Sequence, residues 1–174
     1  AYMTRACEPV LNGTTNTIFS VYNEVSQSGN NGIFQNGGPT DGKLLYILRT
    51  ASGNPTLFDL DSNGAKLQSL ALFNSVNESV IMSLDYNGGS GNLFKNGSGA
   101  SSNSFGGSSF NCSTGTLDLG RYFYGGIYPA DGGYLNGLIG DFIYFNQVLS
   151  ASDRQIVECY LSNKYNIPLG HTCP

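Results

Sequence analysis

The 174-residue chain has no tryptophan, a single histidine, and only eight Lys plus Arg against twelve Asp plus Glu. Eight scattered cations and a net charge of −4 provide no basic face for a phosphate backbone, which excludes a nucleic-acid binder. No stretch approaches the roughly 20 apolar residues of a membrane-crossing helix. Charged residues make up only 11% of the chain and helix formers are scarce, so neither a helical bundle nor an ordinary cytosolic enzyme fits. There is no C-x-x-C pair, and His171 has no second imidazole beside it, so a zinc site lacks ligands. Disorder is excluded as well, because 40% of the residues are hydrophobic and ten Phe and eleven Tyr can fill a core.

What is abundant is the vocabulary of turns: 24 glycines, 20 serines and 19 asparagines, over a third of the chain. Between them, strand-like runs recur about every ten residues, as in a sandwich or barrel. The expected strands are Thr17–Val25, Gly32–Gln35, Lys43–Thr50, Thr56–Asp61, Lys66–Asn74, Glu78–Tyr86, Asn92–Lys95, Thr116–Phe123 and Leu135–Val148. Val80, Met82, Leu84 and Tyr86 alternate with Ser79, Ser83 and Asp85, the pattern of a half-buried strand. In the last run Leu138, Phe142 and Tyr144 alternate with Ile139, Ile143 and Phe145, so a central strand covered on both faces is expected. Turns are expected at Asn36-Gly37-Gly38, Asn63-Gly64, Asn87-Gly88-Gly89 and Asn96-Gly97.

One helix stands out. Ser150 with Asp153, or Ser152 with Gln155, reads as a capping pair; Ile156, Val157, Tyr160 and Leu161 form an apolar stripe, and Pro168 stops any continuation. Cys7, Cys112, Cys159 and Cys173 are an even set at wide spacings, read as two disulfides made in an oxidising compartment. Of three connectivities, Cys159–Cys173 after the helix with Cys7–Cys112 is the one expected, and buried free thiols are the alternative. The chain opens at Ala1 without an initiating Met, which suggests a removed signal peptide or an excised domain. Asn12, Asn77, Asn96 and Asn111 begin Asn-x-Ser/Thr sequons, but so many Asn, Ser and Thr produce about three by chance, so each is only a candidate for N-glycosylation.

The segment Gly137-Leu-Ile-Gly-Asp-Phe-Ile-Tyr-Phe-Asn-Gln-Val-Leu-Ser150, continuing through Ala151 to Ile167, resembles the closing strand and helix of the concanavalin A-like lectin/glucanase superfamily, in its LamG-like branch. Ser83-Leu-Asp-Tyr-Asn-Gly-Gly-Ser-Gly-Asn-Leu-Phe-Lys-Asn-Gly97 is similar to that family's hairpin with an Asn-Gly turn, and Thr116-Leu-Asp-Leu-Gly120 to its strand before the final loop. The resemblance implies an all-β, antiparallel two-sheet jelly-roll sandwich with one short C-terminal helix. Residues 17–174 form the LamG-like domain, preceded by a 1–16 segment that is either an edge strand or an assembly arm. If that segment supplies no strand, an edge is left open to another chain.

Glycosidases of the superfamily set clustered carboxylates on one strand face, because their chemistry takes an acid and a nucleophile or base. Here the one i, i+2 acidic pair is Asp59 and Asp61, with no third partner, and His171 in the tail is expected to be exposed. Asp59-Leu-Asp-Ser-Asn-Gly64 matches the first half of a calcium loop through Asp59, Asp61 and Asn63, but Leu70 stands where the closing Glu belongs. A plain hairpin turn is the alternative for the same residues. In the 122–136 loop, Tyr122, Tyr124, Tyr128 and Tyr134 offer rings to sugar faces, and Asp131 and Asn136 offer hydrogen bonds; contact with another subunit is the other use of such a loop. The expected function is a non-catalytic extracellular structural or adhesive protein, assembling with copies of itself or within a larger surface layer or fibre. The alternative is a carbohydrate-binding, lectin-like module with calcium as an optional ion, and a glycoside hydrolase comes third.

Overall fold

The computed structural model describes residues 3–6, 8, 13–26, 31–37, 44–49, 56–62, 65–72, 75–88, 90–104, 116–121 and 134–174. Along them run β1 (Met3–Ala6), β2 (Asn16–Glu24), β3 (Asn31–Gly37), β4 (Leu44–Arg49), β5 (Thr56–Ser62), β6 (Ala65–Leu72), β7 (Ser79–Tyr86), β8 (Ser90–Lys95), β9 (Ser98–Ser104), β10 (Thr116–Leu119), β11 (Gly137–Phe145) and α1 (Ala151–Tyr165). One sheet has the order β1-β10-β3-β4-β5-β6 and the other β11-β2-β7-β8-β9, and every pairing is antiparallel. This is the two-sheet sandwich with one C-terminal helix that the sequence resemblance implied.

Period-two alternation sorts the side chains between the layers. Ile18 and Tyr22 of β2 join Val80, Met82, Leu84 and Tyr86 of β7 and Leu93 of β8 in the core between the sheets, where Phe34 stacks on Phe142 with centroids 4.4 Å apart. The opposite faces of β2 and β7 contribute Phe19, Val21 and Ile81 to a second cluster, closed by Leu161 and Ile167 of the helix and tail. β7 is therefore not half-buried as expected. Its polar alternates Ser83 and Asp85 lie beneath α1 rather than in solvent, Ser83 fully buried.

Several other expectations are corrected. The last strand is not central: β11 ends its sheet. Both its faces are nonetheless covered, one by the inter-sheet core and one by the helix layer. Its alternation also changes phase, because a bulge sets Gly140 and Asp141 against the single residue Val21. Ile139 thereby joins Phe142 and Tyr144 on the inner face, while Leu138 points outward, 71% exposed. Asn36 and Gly37 continue β3 instead of turning. β9 was not expected, since Ser98–Ser104 carries no apolar alternation; it is specified by the turn before it. Asn96 and Gly97 both adopt positive φ (49° and 76°), the twist of a type I′ hairpin, and so pair Lys95 with Ser98. At the other end of the chain the N-terminal segment supplies β1, which pairs with β10 at one edge of the six-stranded sheet.

The helix begins as expected. Ser150 caps it, its Oγ accepting from the Asp153 N–H at 3.1 Å, and Asn166 ends it in the left-handed region at φ 53°. The face it buries differs from the predicted stripe. Ile156 and Tyr160 are more than half exposed, while Arg154, Glu158, Cys159 and Leu161 are buried. A polar network replaces apolar packing there. Glu158, fully buried, accepts from Arg154 Nη1 at 2.6 Å and Ser83 Oγ at 2.5 Å through Oε1, and its Oε2 lies 2.8 Å from His171 Nε2. Arg154 Nε lies 3.5 Å from Asp85 Oδ2, and Thr17 Oγ1 donates to Asp85 Oδ1 at 3.0 Å. Burial pushes the Asp85 carboxyl above its usual value, a rise that Thr17 and Arg154 oppose and Glu158 reinforces.

His171 is not exposed as expected, because the Cys159–Cys173 disulfide folds the tail back over the helix and leaves the imidazole 13% exposed against Glu158. That pairing is the one expected; Cys7 and Cys112 lie outside the described residues. Gly97 makes room for the ring, since a Cβ there would sit 2.4 Å from it. Replacing Glu158 with Ala would leave Arg154 only its 3.5 Å contact with Asp85 and take the partner from Ser83 and His171, and urea denaturation should show a loss of about 3–5 kcal/mol. Cys173→Ser opens the loop but leaves the Arg154–Glu158 pair in place, and the same measurement should show about 3 kcal/mol lost.

Candidate functional site

Of the expected loop residues, Tyr134 and Asn136 are described; Tyr122, Tyr124, Tyr128 and Asp131 lie outside the described residues. The end of the loop is held by backbone. Tyr134 bridges to Gly32 and Arg121, the Leu135 N–H donates to Gly120 O at 3.0 Å, and the Val25 N–H donates to Asn136 O at 2.7 Å. Leu135 is buried in the core, and the residues on either side of it face outward, with Tyr134 53% exposed. Asn136 Nδ2 donates to Ser26 Oγ at 2.6 Å. Gly137 is required by contact: a Cβ there would lie 2.0 Å from the Asn23 carbonyl oxygen.

Directly after this anchor the two sheets part. A groove of about 600 Å³ opens between Met3 of β1, Leu119 of β10 and the Gly137–Phe142 stretch of β11, with Leu135 among its lining residues. Among the described residues the lining side chains are apolar. Tyr134 and Asn136 flank the lining residue Leu135 along the chain and lie at the end of the loop that leads into the groove. Such a surface takes a neutral ligand by ring contact and hydrogen bonding.

The other candidates fall elsewhere. Asp59 and Asp61 both lie within β5, opposite Ser69 and Lys66 of β6 across a bulge, and Asn63 lies outside the described residues. β5 and β6 form the antiparallel pair that the hairpin alternative required. Among the described residues no three His, Cys, Asp or Glu side chains come together as metal ligands. Among the described residues, Asp85 and Glu158 share Arg154 beneath the helix, with Glu158 fully buried. Asp118, fully buried, accepts from Thr116 Oγ1 at 2.6 Å through Oδ2, and its Oδ1 has no partner. Sequence reasoning missed the cluster under the helix. The i, i+4 spacing of Arg154 and Glu158 was the available signal, but it reads equally as a solvent-exposed pair.

Two sequons are described, and their surroundings differ. Asn77 is exposed at φ 63°, with its carbonyl accepting from Asn23 Nδ2 at 3.0 Å. Asn96 is committed on both sides: Oδ1 accepts from the Ile81 N–H at 2.8 Å, and its carbonyl accepts from the Gly170 N–H at 2.8 Å. Asn12 and Asn111 lie outside the described residues.

The sequence matches no protein-family model and no curated protein. Solved structures do resemble it. A heptameric SAP-like pentraxin from Limulus polyphemus superposes with a TM-score of 0.63 at 14% identity, over 89% of this chain and 74% of that one. The CBM40 of the Ruminococcus gnavus IT-sialidase, bound to α2,3-sialyllactose, gives 0.63 at 14% identity, over 87% of this chain and 95% of that one. Mouse laminin α1 domains LG4-5 give 0.63 at 12% identity, over 87% of this chain and 40% of that one. The fold is the concanavalin A-like jelly roll. At these identities the likeness establishes the fold alone.

Expressed through a eukaryotic secretory pathway, the folded protein should carry glycan at Asn77 and none at Asn96. Glycopeptide mass spectrometry reads both sites in one digest.

Proposed function

We propose that this chain is a non-catalytic, lectin-like module that binds carbohydrate outside the cell, with the groove beside Tyr134 as its contact surface. The observation that carries this reading is the groove itself: a cleft between the two sheets whose described lining side chains are apolar, with the half-exposed Tyr134 one residue before the lining Leu135. A ring can lie against the C–H face of a sugar while amide and backbone groups take its hydroxyls. The shared fold supports the same ligand class, since the CBM40 neighbour is a carbohydrate-binding domain with a bound glycan. The apolar lining and the chain's net charge of −4 favour neutral over sialylated glycans. An extracellular setting is supported by the Cys159–Cys173 disulfide, and among the described residues no helix is long and apolar enough to cross a membrane.

Tyr134→Ala should weaken binding of neutral oligosaccharides about tenfold by calorimetry, with the fold retained because the loop end is held by backbone hydrogen bonds. Binding equal to that of the parent would remove the groove from this role.

A second reading, an assembling structural or adhesive subunit, is favoured by one feature. Met3 and Leu138, 58% and 71% exposed, border the same groove on β1 and β11, each the last strand of its sheet. Apolar side chains at open edges suit contact with another copy. If assembly runs through this border, light scattering should show concentration-dependent growth that Leu138→Lys abolishes.

A further inference from the structure

The outer face of the five-stranded sheet is only partly roofed. α1 covers β2 and β7 and reaches β8 through Arg154, whose guanidinium carbon lies 3.6 Å from the centroid of the Phe94 ring. Beyond that contact lies a shelf of about 290 Å³ lined by Asn92, Leu93, Phe94, Gly99, Ser101 and Ser102. Register sets Asn92 beside Ser102 and Phe94 beside Gly99; Leu93 between them points into the core with its partner Ser101, so Asn92, Phe94 and Ser102 face outward.

Three properties of the shelf select its ligand. First, it is uncommitted: Asn92 and Ser102 are exposed, and among the described residues the Asn92, Ser101 and Ser102 side chains make no hydrogen bond. Second, it is neutral. Among the described residues the nearest charges on this face are Arg154 and Asp85, which pair with each other and, for Arg154, with Glu158. Third, it is open where a side chain would normally stand, because a Cβ on Gly99 would meet no atom within 4 Å. One carboxamide and one hydroxyl, each able to donate and accept, beside a partly exposed ring complement a polyhydroxylated ring with one C–H face. A carboxylate or phosphate would find no unpaired cation among the described residues, and a purely apolar ligand would leave Asn92 and Ser102 unmatched.

We infer that this shelf on β8 and β9 is a second carbohydrate subsite, separate from the Tyr134 groove, that takes a neutral pyranose. It shares the ligand class proposed for the groove but none of its residues, so either site can fail without the other.

The test is a heteronuclear NMR titration of the intact chain with lactose, cellobiose and mannobiose, and with sialyllactose as the charged control. The neutral disaccharides should give saturating shifts at the amides of 92–94 and 99–102, with dissociation constants on the order of 1 mM. Asn92→Ala should weaken that binding about tenfold. Gly99→Val should abolish it while the fold persists, since valine suits a strand and the space is free. Tyr134→Ala should leave the shelf's shifts as they are. No saturating shift at 92–102 in the folded protein would overturn the inference, as would a Gly99→Val variant that binds like the parent. Shelf shifts without shifts at 134–140 would instead count against the groove.

Discussion

The buried carboxylate of Glu158 is the constraint around which the C-terminal third of the molecule is arranged. An uncompensated charge at full burial is costly enough to unfold a domain of this size. It is met from three directions: by Arg154 one helical turn back, by Ser83 from the sheet below, and by His171 from the tail above. Each partner fixes a different element. Arg154 sets the rotation of α1, Ser83 sets its position over β7, and His171 requires the tail to return across the helix, where the Cys159–Cys173 disulfide holds it. Lys164 adds a tie at the last turn, its ammonium held above its ordinary pKa by the hydrogen bond to Asp141 at 2.8 Å.

That network also shapes the surfaces. Because Arg154 stacks on Phe94 and is neutralised by two carboxylates, the roof over the five-stranded sheet stops at β8 and leaves a neutral shelf on β8 and β9. On the opposite side of the same sheet, β11 is an edge strand whose bulge at Gly140 interrupts regular pairing and turns Leu138 outward. The groove exists because β11 and β1–β10 end their sheets without meeting. Among the described residues neither surface carries an unpaired charge, in keeping with a chain poor in charged residues throughout.

The jelly-roll frame is shared with domains as different as a pentraxin, a carbohydrate-binding module and laminin LG domains. A frame that hosts so many roles leaves function to its loops and edges. In this chain those are the places where glycine replaces bulk: Gly137 against Asn23, Gly97 beneath His171, and Gly99 open to solvent on the shelf.

The sequence by itself determined the class of fold, most strand positions, the helix cap at Ser150 and the Cys159–Cys173 bridge, because alternation, turn chemistry and capping are local and act through neighbours in the chain. The fate of polar residues was decided only by the tertiary structure. Ser83, Asp85, Arg154, Glu158 and His171 read individually as solvent-facing, and only their convergence from β7, α1 and the tail makes burial tolerable. The same holds for β9, whose serines and single glycine become a strand through cross-strand pairing with β8. It holds also for β11, where one extra residue reversed which side chains met the core. Burial of a charge and the phase of a bulged strand depend on partners far apart in sequence, and no local pattern encodes them.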